Sequence, residues 1–220
     1  MKTVFLFLSV FCFANLYAQN NSAEFKKLFK AFTKSAQGQY EISPGGDDLP
    51  EGQRQPQDLL MFPISHWATD TDAWFCLVWL SPKFKEKPLE QVFIRFAYKD
   101  AKTMTSDFYA TPANAPEGIS LEWRKPKPFA SLTPDFIMTE SLPCKGFATA
   151  GENGLFSIES GSPCPSATKA AAYSSIQLDM RFYGKAYSSA TKFYAPDGKI
   201  VIQYPHELQF KKKASNLKKY

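Results

Sequence analysis

Glu90-Gln91-Val92-Phe93-Ile94-Arg95-Phe96-Ala97-Tyr98 is the stretch on which the fold turns. Val92, Ile94, Phe96 and Tyr98 fall on one side of an extended chain. Gln91, Phe93, Arg95 and Ala97 fall on the other. This is the period of a β-strand. Just upstream, Trp74 to Leu80 is a short, wholly apolar run, which reads as a strand buried on both faces. Further strands are expected at Gln39–Ile42, Asp58–Trp67 (with Pro63 at an edge or bulge), Ser120–Arg124, Ile137–Ser141 and Phe147–Thr149. Others follow at Leu155–Ser160, Ser175–Phe182, Ala186–Tyr194 and Ile200–Tyr204. Asn153-Gly154 and Asp197-Gly198 are turn pairs between them. About ten short strands at close spacing predict a mainly β, antiparallel barrel or sandwich.

One helix precedes the strands. Asn21-Ser22-Ala23-Glu24 has the form of a capping box, with Asn21 as cap and Glu24 reaching back. Phe25, Leu28, Phe29 and Phe32 follow at helical spacing, and Gly38 stops the run. The helix is expected from Ser22 to about Gln37, its Phe stripe docked on the sheet or over a barrel end. Pro44 to Gln57 is rich in Gly, Pro and Asp and reads as a loop.

Before the helix, Met1-Lys2, an apolar run from Val4 to Ala14 and Leu16-Tyr17-Ala18 together read as a secretory signal cleaved after Ala18. The expected product is exported, periplasmic or secreted, with no transmembrane segment once the signal is gone. The division is then 1–18 signal, 19–210 one barrel domain and 211–220 a basic, flexible tail. That tail holds five of the lysines, at 211, 212, 213, 218 and 219. Without it and Lys2 the body is close to neutral, which argues against a nucleic-acid partner.

Export bears on the cysteines. Cys12 leaves with the signal, and Cys76, Cys144 and Cys164 remain. Cys76 lies within the apolar run and is expected buried and inert. Cys144 and Cys164 flank the Asn153-Gly154 hairpin, which brings them together. A disulfide there is worth about 3 kcal/mol in the chain-entropy model.

The familiar catalytic motifs are missing. There is no Gly-x-Ser-x-Gly elbow, no Walker loop and no Gly-x-Gly-x-x-Gly. His66 and His206, the two histidines, lie far apart with no ligand-spaced partner, so no metal site is expected. Asp47-Asp48 and Asp70 with Asp72 read as turn carboxylates. No catalytic residue can be assigned.

The second half resembles a known family. Cys144, Gly154-Leu155-Phe156, Gly161-Ser162-Pro163-Cys164-Pro165-Ser166 and Ala171-Ala172-Tyr173 follow the order of motifs in the CpcT/CpeT chromophore lyases. Asp197-Gly198-Lys199 is similar to that family's late turn. Trp74 to Trp79 and Lys87-Pro88-Leu89-Glu90-Gln91 are similar to two of its strands. The resemblance spans roughly Gln37 to Gln203. It implies a lipocalin-like antiparallel barrel, a calyx for a linear tetrapyrrole (bilin), and a lyase-type activity that presents the bilin to an acceptor cysteine of a protein the sequence does not identify. Departures are clear. Trp79-Leu80 stand where the family has Glu-Gln, and Leu89-Glu90-Gln91-Val92 where it has Tyr-Arg-Gln-Arg. Ala170 replaces a Gly, and Tyr183 to Tyr187 replaces an Asp-Arg-Gly-Tyr-Asp stretch.

The expected pocket residues are Trp74, Trp79, Gln91, Arg95, Tyr173 and Asp179. Each has a plainer reading. The tryptophans serve equally as core, Tyr173 as a barrel corner, and Asp179 stands as easily outside. With Gln91 and Arg95 inward, Arg95 would hold bilin propionates, and Arg95→Ala would weaken tetrapyrrole binding while changes in the lysine tail would not. With the opposite register, Val92, Ile94 and Phe96 fill the barrel and Arg95 faces out. The alternative function is a secreted small-molecule-binding or interaction module of the same fold without catalysis. The ligand is then a small apolar molecule or a tetrapyrrole, and a homodimer is left open.

Overall fold

The Phe stripe of the first helix is what the barrel closes on. In the computed structural model, which describes residues 21–42, 58–80, 88–112, 114–116, 118–140, 144–165, 174–190, 192–203 and 208–214, helix α1 runs over 21–36. Phe25, Leu28 and Phe32 are buried and Phe29 is half-buried against the same core. The helix already includes Asn21, so Asn21 is not its cap. Glu24 does not reach back either, because its carboxylate accepts the Tyr98 hydroxyl. The segment read as a signal, 1–18, lies outside the described residues, as do 43–57, 166–173 and 215–220.

The strands after α1 are β1 (Gly38–Ile42), β2 (Asp58–Pro63), β3 (Asp72–Leu80), β4 (Pro88–Tyr98) and β5 (Thr103–Ala110). Helix α2 (Pro134–Glu140) follows, then β6 (Cys144–Ala150), β7 (Phe156–Ser160), β8 (Cys164–Pro165), β9 (Ser175–Gln177) and β10 (Asp179–Phe182). The last are β11 (Ala186–Ser189), β12 (Lys192–Tyr194), β13 (Ile200–Gln203) and β14 (Leu208–Ala214). Ten of them close an antiparallel barrel in the order β1-β14-β11-β10-β7-β6-β5-β4-β3-β2. The fold is mainly β and lipocalin-like, as expected. Four short strands, β13-β12-β9-β8, form a second sheet.

Two apolar layers sandwich one wall of the barrel. Inside, Tyr40, Leu59, Phe75, Ile94, Phe96, Phe156, Phe182, Tyr187 and Phe210 pack with α1. Phe32 touches Phe75, Phe96, Phe156 and Phe182 at ring distances of 4.8–5.8 Å. Outside, the described residues of 118–140 lie over β2–β5. A 3-10 turn (Ile119–Arg124) and α2 place Ile119, Trp123, Phe129, Leu132 and Ile137 on Leu60, Phe62, Trp74, Cys76, Val78, Phe93 and Tyr109. β3 is therefore apolar on both faces because both faces are buried.

Several expectations are corrected here. Ser120–Arg124 is part of a 3-10 turn and Ile137–Ser141 overlaps α2, not a strand. Thr133 caps α2: its Oγ1 accepts the Phe136 N–H, and Pro134 sits in the first helical turn. β2 ends at Pro63, the Ile64 N–H still donates to the Trp74 carbonyl at 2.8 Å, and Ser65–Trp67 then forms a 3-10 turn rather than more strand. Ser175–Phe182 splits at Leu178 and Ala186–Tyr194 splits after Ser189, each sending one piece to the barrel and one to the small sheet. β5, β8 and β14 are additional strands. Lys211, Lys212 and Lys213 belong to β14, which pairs with β1 and β11, so the tail does not begin at residue 211.

The β6–β7 hairpin turns through Asn153 (φ 55°) and Gly154 (φ 77°), the left-handed pair its sequence calls for. Gly146 is required by contact rather than by turning. A Cβ there would stand 2.2 Å from the Glu159 carbonyl oxygen on β7. The Cys144–Cys164 disulfide, with Cα atoms 5.1 Å apart, ties β6 of the barrel to β8 of the small sheet. Cys76 is buried and free.

Candidate functional site

The two ends of the barrel differ. α1 crosses the end that carries Tyr98, Ala150, Phe156 and Phe182. It is fastened there by Glu24 to Tyr98, by Lys26 to Asp70 at 2.6 Å, and at its C-terminus. At that terminus the Tyr40 hydroxyl donates to the Ala36 carbonyl at 2.8 Å, and the Lys212 ammonium donates to the Ser35 carbonyl at 3.1 Å. These donors satisfy carbonyls that a helix end otherwise leaves open. Partial burial lowers the Lys212 ammonium below its ordinary range.

The opposite end has no helix across it among the described residues. Its strand ends include Trp79, Phe108, Cys144, Ser160, Asp179 and Ser189, and the small sheet and the disulfide stand beside it. Trp79 and Val92 point inward here yet are only half-buried, unlike the inward residues below them. The Trp79 ring meets Phe210 edge-on at 5.5 Å. Trp79 and Val92 thus form the partly exposed edge of the apolar core at this end.

Two hydroxyls interrupt that core. Ser106 on β5 and Tyr187 on β11 are fully buried and have no hydrogen-bond partner among the described residues. Burial, with Tyr40 nearby, pushes the Tyr187 phenol well above its ordinary value. Tyr40 is raised by burial alone.

Of the expected pocket residues that are described, Trp79 alone faces the barrel interior. Trp74 is on the other face of β3, packed between Trp67 and Tyr109 under the outer cover. Gln91 and Arg95 are also on the outer face, so the inward register is corrected to its competitor, with Val92, Ile94 and Phe96 inside. The reason is pairing. Arg95 Nε and Nη2 donate to Asp72 Oδ2 at 3.1 and 2.7 Å, and an outward Arg95 keeps this partner in reach of solvent. Burial works against the Arg95 charge, but Asp72 outweighs it and raises the guanidinium above its ordinary range. Gln91 is buried beneath the cover with no partner for its amide among the described residues. Asp179 starts β10 at the mouth, its side chain directed away from the lumen and 3.6 Å from Arg181. Tyr173 lies outside the described residues.

No catalytic grouping emerges. Among the described residues no cluster of three His, Cys, Asp or Glu side chains could hold a metal ion. His66 is exposed, and partial burial and Lys127 lower its pKa. Asp70 and Asp72 serve Lys26 and Arg95. His206, Asp47 and Asp48 lie outside the described residues. The sequence reading missed Phe210, Tyr187 and Ser106. Inward alternation was the available signal: Ser106 and Phe210 lie on β5 and β14, which were not recognised as strands, whereas Tyr187 lies on an expected strand whose inner face was not read.

Comparison with known proteins gives a likeness of fold. No protein-family model matches the chain, and no curated protein matches it. A solved structure of the CRL protein of Arabidopsis superposes with a TM-score of 0.53 at 10% sequence identity, covering 89% of this chain and 98% of that one. At that identity the likeness concerns the architecture: this chain is similar in fold, nearly end to end, to the CRL protein.

Proposed function

We propose that this chain is an exported calyx that binds a flat, largely apolar small molecule through the end of the barrel opposite α1. The observation that carries the reading is the half-buried, inward Trp79 at that end, packed on the apolar interior of the barrel. Aromatic rings at a concave apolar site supply most of the contact such a ligand needs. A linear tetrapyrrole is the ligand class the family resemblance brings forward. Any lyase-type activity would consist in presenting the bound bilin to an acceptor thiol, which is work of positioning rather than of acid–base groups. Export is supported by the signal-like start and by the buried disulfide, which suits an oxidising compartment.

The non-catalytic module is the second reading. It is favoured by the position of Arg95, which pairs with Asp72 on the outer face and so is not among the described side chains that face the barrel interior.

Titration of biliverdin against the mature protein, followed by its visible absorbance and by tryptophan quenching, tests the reading. Saturable spectral change is expected, with affinity about tenfold weaker in Trp79→Ala, equivalent to about 1.4 kcal/mol, and unchanged in Arg95→Ala. Unchanged spectra at high protein concentration would remove the tetrapyrrole. Equal binding by Trp79→Ala would remove the mouth.

A further inference from the structure

The charge of the body is unevenly spread, and the barrel end that α1 crosses holds a surplus of lysine. The helix buries Phe25, Leu28 and Phe32 on one side, and its opposite face carries Lys27, Lys30 and Lys34, all exposed. Their spacing of three and four residues sets them in one row, about 10 Å long. Like charges so placed on a helix repel one another. Nothing offsets them: none of the three forms an ion pair among the described residues, because Glu24 is taken by Tyr98 and Asp70 by Lys26.

The turns around the helix widen the row. Those joining strands at this end, residues 64–71, 99–102, 151–155 and 183–185, are described throughout. Lys102 and Lys185 stand exposed in two of them, again without an ion pair among the described residues. Both turns are held to the wall: the Ala150 N–H donates to the Lys102 carbonyl at 2.8 Å, and the Lys212 N–H to the Lys185 carbonyl at 2.9 Å. Across α1 and these turns, exposed lysines outnumber exposed carboxylates seven to four. Tyr183, beside Lys185, is 52% exposed. Ala214 ends β14 here, opposite Gln39, and Lys218 and Lys219 follow it in the sequence.

The complement of such a face is a broad anionic surface. The lysines are compact, hydrated charges that suit phosphate headgroups without fixed geometry, and none of these cations is an arginine fork made to grip one partner. An exposed tyrosine at the rim suits the polar edge of a bilayer. We propose that the α1 end of the barrel is a docking face for a bilayer that contains anionic lipid, with Lys27, Lys30 and Lys34 at its centre and Lys102, Lys185 and Tyr183 at its rim. The proposal does not depend on ligand binding, and it turns the Trp79 end away from the bilayer.

Sedimentation of the disulfide-bonded mature chain with large vesicles tests it. Vesicles of equal parts phosphatidylglycerol and phosphatidylcholine should bind the protein at about 0.05 M salt and release it at about 0.5 M, where charge is screened within a few Å. Vesicles of phosphatidylcholine alone should not bind it. Changing Lys27, Lys30 and Lys34 together to Gln should weaken binding about a hundredfold, at about fivefold per lysine. Tyr183→Ser should weaken it about threefold. A charge-matched variant, Lys145→Gln with Lys192→Gln and Lys199→Gln on β6 and the small sheet, should stay within about twofold of the parent. Gln is nearly as good a helix former as Lys, and circular dichroism confirms that α1 persists. No binding to the phosphatidylglycerol vesicles, equal loss from the two triple variants, or equal binding to both kinds of vesicle overturns the proposal. Tighter binding to heparin or duplex DNA than to the vesicles, lost in the Lys27, Lys30 and Lys34 variant, would give the face to a soluble polyanion and overturn it as well.

Discussion

The Lys212 ammonium donates a 3.1 Å hydrogen bond to the carbonyl oxygen of Ser35, so β14 of the barrel wall holds the end of the helix that stops the barrel. Lys212 also lies 5.5 Å from the centre of the Tyr40 ring, whose hydroxyl serves the next carbonyl, that of Ala36. A cation at a helix C-terminus gains from the macrodipole as well as from the bond. Lys212→Met keeps the length of the side chain and removes both gains. Urea unfolding should show a loss of about 1 kcal/mol. A loss of comparable size from Lys211→Met, whose side chain is exposed, would deny Lys212 this role.

The Phe stripe of α1 is graded. Phe32 is fully buried among four rings, whereas Phe29 is half-buried over Phe75 and Phe96. Phe32→Ala should cost about 3–5 kcal/mol in denaturant unfolding, and Phe29→Ala about half that. The reverse order would mean that α1 meets the barrel with another face.

Cys144 and Cys164 should appear as one cross-linked peptide in mass spectrometry of the non-reduced digest. Replacing both with Ala should cost about 3 kcal/mol. Cys76 is fully buried, and burial raises its thiol well above the ordinary range. It should resist alkylation in the folded protein and react at once in denaturant. Rapid native labelling would contradict that burial.

Tyr40 and Tyr187 give stability a characteristic alkaline limit. Burial raises both phenols, so the folded state keeps protons that the unfolded state loses above about pH 10. Their contribution is whole below that pH. It declines above it by about 1.4 kcal/mol per pH unit for each group. Unfolding free energies measured from pH 9 to 11.5 should show this slope, and Tyr187→Phe should remove one group's share. Identical slopes in the two proteins would show that the Tyr187 hydroxyl reaches solvent.

The barrel was legible in the sequence, but not which way its walls faced. β4 alternates cleanly from Glu90 to Tyr98, yet Phe93 on one side and Phe96 on the other are both fully buried. One lies under the outer cover and one in the lumen, so hydrophobic alternation could not tell inside from outside. Arg95 was the only clue, and its partner Asp72 sits across the strand pair, beyond local pattern. β14 hid for a different reason. Its lysines read as a solvated tail, although Lys212 turns inward and Lys211 and Lys213 face out beside β1. α2 carried its own signal in Thr133-Pro134, outweighed by the apolar residues after it. Of the residues read as pocket candidates, Trp79 is the described one that turns to the interior.

The ring shuts between segments far apart along the chain: Gln39 of β1 lies opposite Ala214 of β14. The barrel pairings that do not involve β14 can all form first and still leave an open, curled ladder with two raw edges, β1 and β11. Such late, non-local closure is slow, because the entropy of looping most of the chain is spent before the last contacts reward it. A ribosome-bound chain that lacks 208–214 therefore has no finished barrel. It has a sticky half-built one, and the window in which it can be captured, threaded or misassembled lasts until that seam is sewn.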